Sequence, residues 1–238
     1  MIGLTYDLHI HSCLSPCGDM DMTPANITGM AALMGLDVIA LTDHNTCKNC
    51  PAFLKFAEDN GILALPGMEL TTAEEVHVVC LFETLGDAMR FDEYVYERLL
   101  PVDNVEEIFG KQQICGEDDE PCGTVGKLLI NATTISFEDV YELVSGFGGV
   151  MIPAHIDKSS NSLISNLGFV PLDSRFTAVE LKDLKKLHEL KRMNPYLEKC
   201  TIITDSDAHY LDTLHEPEHT LYVEEKTRAG VLRALGKK

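Results

Sequence analysis

Histidines and acids recur in this 238-residue chain at the ends of apolar runs. In "DLHIHS" His9 and His11 stand two apart behind a run of β-forming residues, so both rings project from the same face of a strand and can chelate one cation. Asp43 and His44 close "LDVIALTDH", Glu69 follows "ILALPGM", His155 closes "GVMIPAH", and Asp207 with His209 closes "TIITDSDAH". Imidazole and carboxylate together suit zinc, iron or manganese. A lone His-x-His is weak evidence, because strand histidines are commonly structural. Five apolar runs that each end in histidine or an acid are a different matter, since burying so many ionisable groups without a cation is costly.

The elements that must position these groups alternate. Residues 3–10 read as a strand and 23–35 as a helix, with Thr23 as N-cap, Pro24 at its first position and Gly35 as its stop. Strands follow at 36–42, 62–68, 149–155, 177–182, 200–207 and 220–225, with helices at 51–61, 136–148, 183–193 and 227–235. Strands alternating with helices predict a wound, parallel α/β architecture, whose ligand crevice lies at the carboxyl ends of the strands. One connection breaks the rhythm: only residues 70–75 separate "ILALPGM" from "VHVVCLF", too few for a parallel crossover. These two runs should pair antiparallel, which brings His77 to the same rim as Glu69 and distorts any barrel. The acidic, turn-rich stretch 100–134, with "ICGEDDEPCG", reads as a solvated surface insertion.

Composition sets the limits. At 45% hydrophobic and 24% charged, residues 1–238 suffice for one domain. No apolar stretch approaches the roughly 20 residues needed to cross a bilayer, so a soluble, cytoplasmic protein without membrane contact is expected. A formal charge of −19 and the absence of Trp argue against a long nucleic acid as partner. Eight cysteines in a chain of this size point to reduced thiols or metal ligands rather than a disulfide scaffold.

Taken together, "DLHIHS", "TDHN", "GMEL", "VHVV", "PAHID" and "SDAH", in this order from about residue 5 to 211, resemble the metal motifs of the PHP (polymerase and histidinol phosphatase) family of phosphoesterases. The resemblance implies a distorted (β/α)7 barrel with two or three divalent ions (Zn, Fe or Mn) and hydrolysis of a small phosphorylated substrate by metal-activated hydroxide. It implies one ion on His9, His11, Glu69 and Asp207, and a second on Glu69, His77 and His155, with Glu69 bridging. It places a third on His44, His209 and an acid of the first loop. "PCG" intervenes in that loop, which makes Asp19 the candidate acid, with Cys17 and Asp21 as competitors. Glu69, Asp207 and His209 are the residues expected to carry catalysis, Lys158 and Lys182 to clamp phosphate, and Asp7, Asp43 and Asp205 to orient ligating rings.

Two other readings stand beside this one: an exonuclease or phosphodiesterase acting on short oligonucleotides, and a non-catalytic metal or redox sensor. The latter draws on Cys13, Cys17, Cys47 and Cys50, which are the four thiols of a possible additional metal site on two neighbouring loops. Cys115 and Cys122 either pair with each other or are unrelated, and Cys80 and Cys200 read as core. His188, His215 and His219 read as surface residues.

Overall fold

The computed structural model describes residues 1–236. In chain order its elements are β1 (Ile2–Ile10), α1 (Pro24–Met34), β2 (Val38–Leu41), α2 (Cys50–Asp59), β3 (Leu63–Thr71), β4 (His77–Leu81), α3 (Leu85–Arg98), α4 (Glu106–Phe109), β5 (Gln113–Cys115), β6 (Pro121–Thr124), α5 (Phe137–Gly146), β7 (Val150–Pro153), α6 (Leu163–Leu167), β8 (Ala178–Glu180), α7 (Leu187–Met193), β9 (Thr201–Ile203), β10 (Thr220–Val223) and α8 (Arg228–Ala234). The capping signals act as read. Thr23 accepts a hydrogen bond from Asn26 N, and Gly35 ends α1 in the left-handed region at φ 81°. The sequence reading assigns no element to 85–98. There α3 buries Ala88, Phe91, Asp92 and Val95, an apolar stripe at helical spacing interrupted by an acid.

The main sheet has the order β10-β1-β2-β3-β4-β7. β1, β2 and β3 run parallel, whereas β4 is antiparallel to both β3 and β7. β8 and β9 form a separate parallel pair. Single hydrogen bonds close the ring: Ile156 N to Glu180 O at 3.0 Å on one side and His11 N to Ala208 O at 2.9 Å on the other. Side chains replace the missing ladder between β1 and the stretch after β9. Leu8 N donates to Asp205 at 2.6 Å, and Ser206 N donates to Asp7 at 3.1 Å. The result is a curled α/β barrel in which β4 is reversed, as the short 70–75 connection requires, and β10 pairs antiparallel with the first half of β1.

Period-two alternation divides the apolar residues between two layers. Leu4, Tyr6, Leu8, Val38, Ala40, Val79 and Ile152 fill the barrel interior together with Val231, Leu232 and Leu235 of the last helical segment. Ile10, Ile39, Leu41, Val78 and Met151 face outward against the helices. The pairing of β1 with β2 is irregular between Asp7 and Ile10. That irregularity reverses the strand's phase, so that both His9 and His11 aim into the mouth of the barrel beyond Leu8.

The 100–134 stretch is largely exposed but partly folded. β5 and β6 form a hairpin, and Leu14 of the first loop joins Leu99, Val125 and Leu129 in a small apolar cluster. Its acid Asp119 accepts from Thr23 Oγ1 at 2.6 Å and from Ala25 N at 3.1 Å, which serves the open N-terminus of α1. The charge run conceals this role because one acid in it points inward while its neighbours are solvated.

Candidate metal centre

β1 delivers His9 and His11, the loop after β2 delivers His44, and β3 carries Glu69. The start of β4 brings His77, the end of β7 leads to His155, and the loop after β9 carries Asp207 and His209. Glu69 lies at the centre, fully buried. Its Oε1 is 2.9 Å from His77 Nδ1, 3.1 Å from His155 Nε2 and 3.3 Å from His9 Nε2, while its Oε2 is 3.0 Å from His44 Nδ1 and 3.3 Å from His11 Nε2. Asp207 Oδ1 lies 3.6 Å from His9 Nε2 and 3.5 Å from His11 Nε2. His155 and Asp207 adopt left-handed backbone, at φ 30° and 54°, conformations that non-glycine residues hold mainly where surrounding structure imposes them.

Hydrogen bonding fixes which ring nitrogens are free. His9 Nδ1 donates to Glu180 Oε2 at 2.7 Å, which leaves the Nε2 lone pair facing inward. Ser15 donates its hydroxyl proton to Asp43 at 2.7 Å, so its oxygen accepts from His11 Nδ1 at 2.9 Å. The Nε2 lone pair of His11 therefore faces inward as well. In that tautomer the two nitrogens face each other only 3.2 Å apart, alongside carboxylate oxygens, a geometry that suits a cation between them. His44 Nδ1 and Glu69 Oε2, though 3.0 Å apart, make no aligned hydrogen bond, and buried His155 Nδ1 has no partner. So many converging acceptors fit a site built for cations.

The electrostatics set two carboxylates among rings of differing basicity: burial lowers His9, but Glu180, Glu69 and Asp207 outweigh it and raise the ring. Burial raises Glu69 and Asp207, but the surrounding histidines, led by His77 and His9 respectively, outweigh it and hold both carboxyls well below their usual range. Burial and neighbouring His11 push His44 down to about 3 and His209 down to about 4, which keeps both rings neutral and able to ligate. His11 itself is pulled down by burial and lifted to about 8 by Asp207 and Glu69.

Three groups place their ligand atoms within 4.8 Å of one another: His9, His11, Glu69 and Asp207; His44, Glu69 and His77; and His11, His44 and His209. The first coincides with an expected set. In the second His44 stands where His155 was expected, although His155 also touches Glu69. Asp19 is absent from the third. Its Oδ1 accepts from Asp21 N at 2.8 Å, and its backbone N donates to His209 O at 2.9 Å, which ties the first loop to the loop bearing His209. Cys17 reaches the site's opening. Gly18 beside it has no room for a side chain, since a Cβ would lie 2.3 Å from Ser12 O.

The four-thiol site is not assembled. Cys47 and Cys50 turn inward, where both donate to Gly67 O at 3.1 and 3.6 Å, and Cys115 faces Cys13 instead of Cys122. No cysteine belongs to the three ligand groups found among the described residues. Asp7 and Asp205 bind backbone rather than ligating rings, and Asp43 reaches His11 only through Ser15. His215 is half-buried, its N–H bonded to Asp7 at 3.2 Å.

Glu180 is the residue the sequence reading missed. An acid inside the apolar run "TAVELK" was its visible signal, because burial there demands a partner. Through His9 it fixes a tautomer and raises ring basicity, so Glu180→Gln is expected to weaken metal affinity by about 10–100-fold. Competition titration against a chromophoric chelator measures this, and unchanged affinity would show that Glu180 does not support His9.

Lys158 Nζ bonds Asp207 Oδ2 at 2.8 Å, and Lys182 Nζ donates to Ser206 O at 2.5 Å. With Cys17, Asp207, His209, Tyr210 and Thr213 they line an open cleft of about 540 Å³ over the cluster. A recess of about 600 Å³ beside α5 contains none of the clustered histidines.

A curled barrel whose strand ends pool histidine and carboxylate around one central glutamate defines a metallohydrolase-type centre. The PHP domain family model matches residues 7–161, and the chain belongs to that family. It is 30% identical over 110 residues to an uncharacterized protein of Methanocaldococcus jannaschii, covering 43% of this chain and 59% of that one. To the 5'-3' exoribonuclease Rnm of Salmonella typhimurium it is 32% identical over 84 residues, covering 33% and 28%. The lesion-specific endonuclease EndoQ from Pyrococcus furiosus shares the fold, with a TM-score of 0.68 at 19% identity, over 98% of this chain and 56% of that one. The chain thus spans less than two thirds of each of these proteins. Among the described residues no helix is long and apolar enough to cross a membrane.

Proposed function

We propose that this protein hydrolyses phosphate esters of a small metabolite or nucleotide, using two or three divalent ions held by His9, His11, His44, Glu69, His77, His155, Asp207 and His209. The facing Nε2 lone pairs of His9 and His11, beside the oxygens of Glu69 and Asp207, carry this reading. Bound ions would supply Lewis acidity and a hydroxide nucleophile near neutral pH. The chain's own groups do the rest. Glu180 and the Ser15–Asp43 pair hold two ligating rings in one tautomer. Lys158 and Lys182 bring cationic heads to the rim of an otherwise acidic protein, where a phosphate dianion would enter. The cleft's openness admits a leaving group of varied size.

Nuclease activity is the second reading. It is favoured by similarity to proteins named as an exoribonuclease and an endonuclease. The net charge of −19 opposes a long strand but not the end of a short one. Protein loaded in turn with Mn²⁺, Zn²⁺ and Fe²⁺ should be offered phosphomonoesters, nucleoside bisphosphates and short oligonucleotides side by side. Fastest turnover of a small ester is expected. Preference for oligonucleotides would move the assignment to the second reading, and no turnover by any loaded form would overturn both.

A further inference from the structure

We propose that Cys13 and Cys115 form a reversible disulfide that latches the 100–134 segment onto the loop bearing His11. Their sulfurs lie 3.5 Å apart although 102 residues separate them in sequence, and both residues are buried. The two segments already share a seam: Gln113 N donates to Cys13 O at 3.2 Å, Cys115 N to Asn49 Oδ1 at 2.9 Å, and Asn49 Nδ2 to Ser12 Oγ at 2.9 Å. A bond between these sulfurs would therefore fasten an interface that exists in the reduced protein.

The other thiols are less suited to this. Cys47 and Cys50 share one carbonyl at a single turn entering α2, so joining them fastens nothing distant. Cys17 and Cys122 are exposed. Closing Cys13 to Cys115 requires the sulfurs to approach to about 2.05 Å. β5–β6 can yield that distance, because a short two-stranded hairpin with one strand wholly exposed is weakly held. The same looseness gives an oxidant access to the buried pair.

The oxidant is a low-molecular-weight disulfide. One cysteine thiolate attacks a sulfur of that disulfide and displaces a small thiolate. The second cysteine thiolate then displaces the other small thiolate and closes the protein disulfide. The protons lost by the two cysteines end on the two small thiols released, and the two electrons the cysteines lose reduce the small disulfide. Excess thiol reverses each step.

The full chain should be incubated with glutathione disulfide or with dithiothreitol, then compared by non-reducing peptide mapping and thermal unfolding. The oxidised sample should yield one Cys13–Cys115 cross-linked peptide and an unfolding midpoint higher by about 5–10 °C. C13S and C115S should each lose both signals, while C17S and C122S keep them. Where C13S fails to fold, C115S decides. Glutathione adducts confined to Cys17 and Cys122, or an undiminished midpoint rise in C115S, would overturn the proposal. Neither readout uses turnover, so the result is independent of the phosphoesterase reading.

Discussion

Glu69→Gln should lose bound metal and about a thousandfold or more in hydrolytic rate. The substitution keeps the shape of a fully buried side chain, so packing against β2 and β4 changes little. What it removes is the one anion that touches His9, His11, His44, His77 and His155. In its place a neutral amide would aim N–H groups at some of those rings and supply only one good ligand oxygen. Metal-ion catalysis contributes several kcal/mol of transition-state stabilisation, and each 1.36 kcal/mol is about tenfold in rate. Metal content by elemental analysis and turnover on the preferred ester test this together. Asp19→Asn is the internal contrast, because Asp19 bonds only its own turn and the backbone of His209; it should retain most of its activity. If Glu69→Gln kept full metal content and a tenth of the rate, Glu69 could not be the centre of the site.

Stripping the metal should also lower the unfolding temperature. His9, His11 and Glu69 are wholly buried, and their unshared lone pairs and charge cost free energy without a cation. A ligand present at about a thousand times its dissociation constant adds about 4 kcal/mol for each site. For a chain of this length each kcal/mol corresponds to about 2–4 °C, so chelation should lower the midpoint by about 8–16 °C for each ion removed. Differential scanning fluorimetry, with and without excess chelator and after metal is restored, measures the shift. Glu69→Gln should unfold at the same temperature under both conditions. A wild-type midpoint indifferent to chelation would show that these groups do not bind metal tightly.

Much of the centre was legible because its residues end apolar runs, and strand ends of a wound α/β protein face one crevice. His77 needed one further step, the shortness of the 70–75 connection, and the antiparallel β3–β4 register bears this out. What escaped depended on long-range contact. Glu180 meets His9 across 171 residues, and no local period encodes that partnership. The cysteines failed as a set because loops that are neighbours in space can still point their thiols in opposite directions. Asp119 was hidden among solvated acids, although capping α1 is a specific task.

The cross-bracing of β1 bears on when the protein becomes itself. Glu180 follows His9 by 171 residues, and Asp205, Ser206, Asp207 and His209, which also hold or complete the paired histidines, come later still. A nascent chain therefore carries half a chelate until those residues emerge. Selective capture of metal belongs to the finished barrel, and a ribosome that stalls before Glu180 releases a chain without that centre.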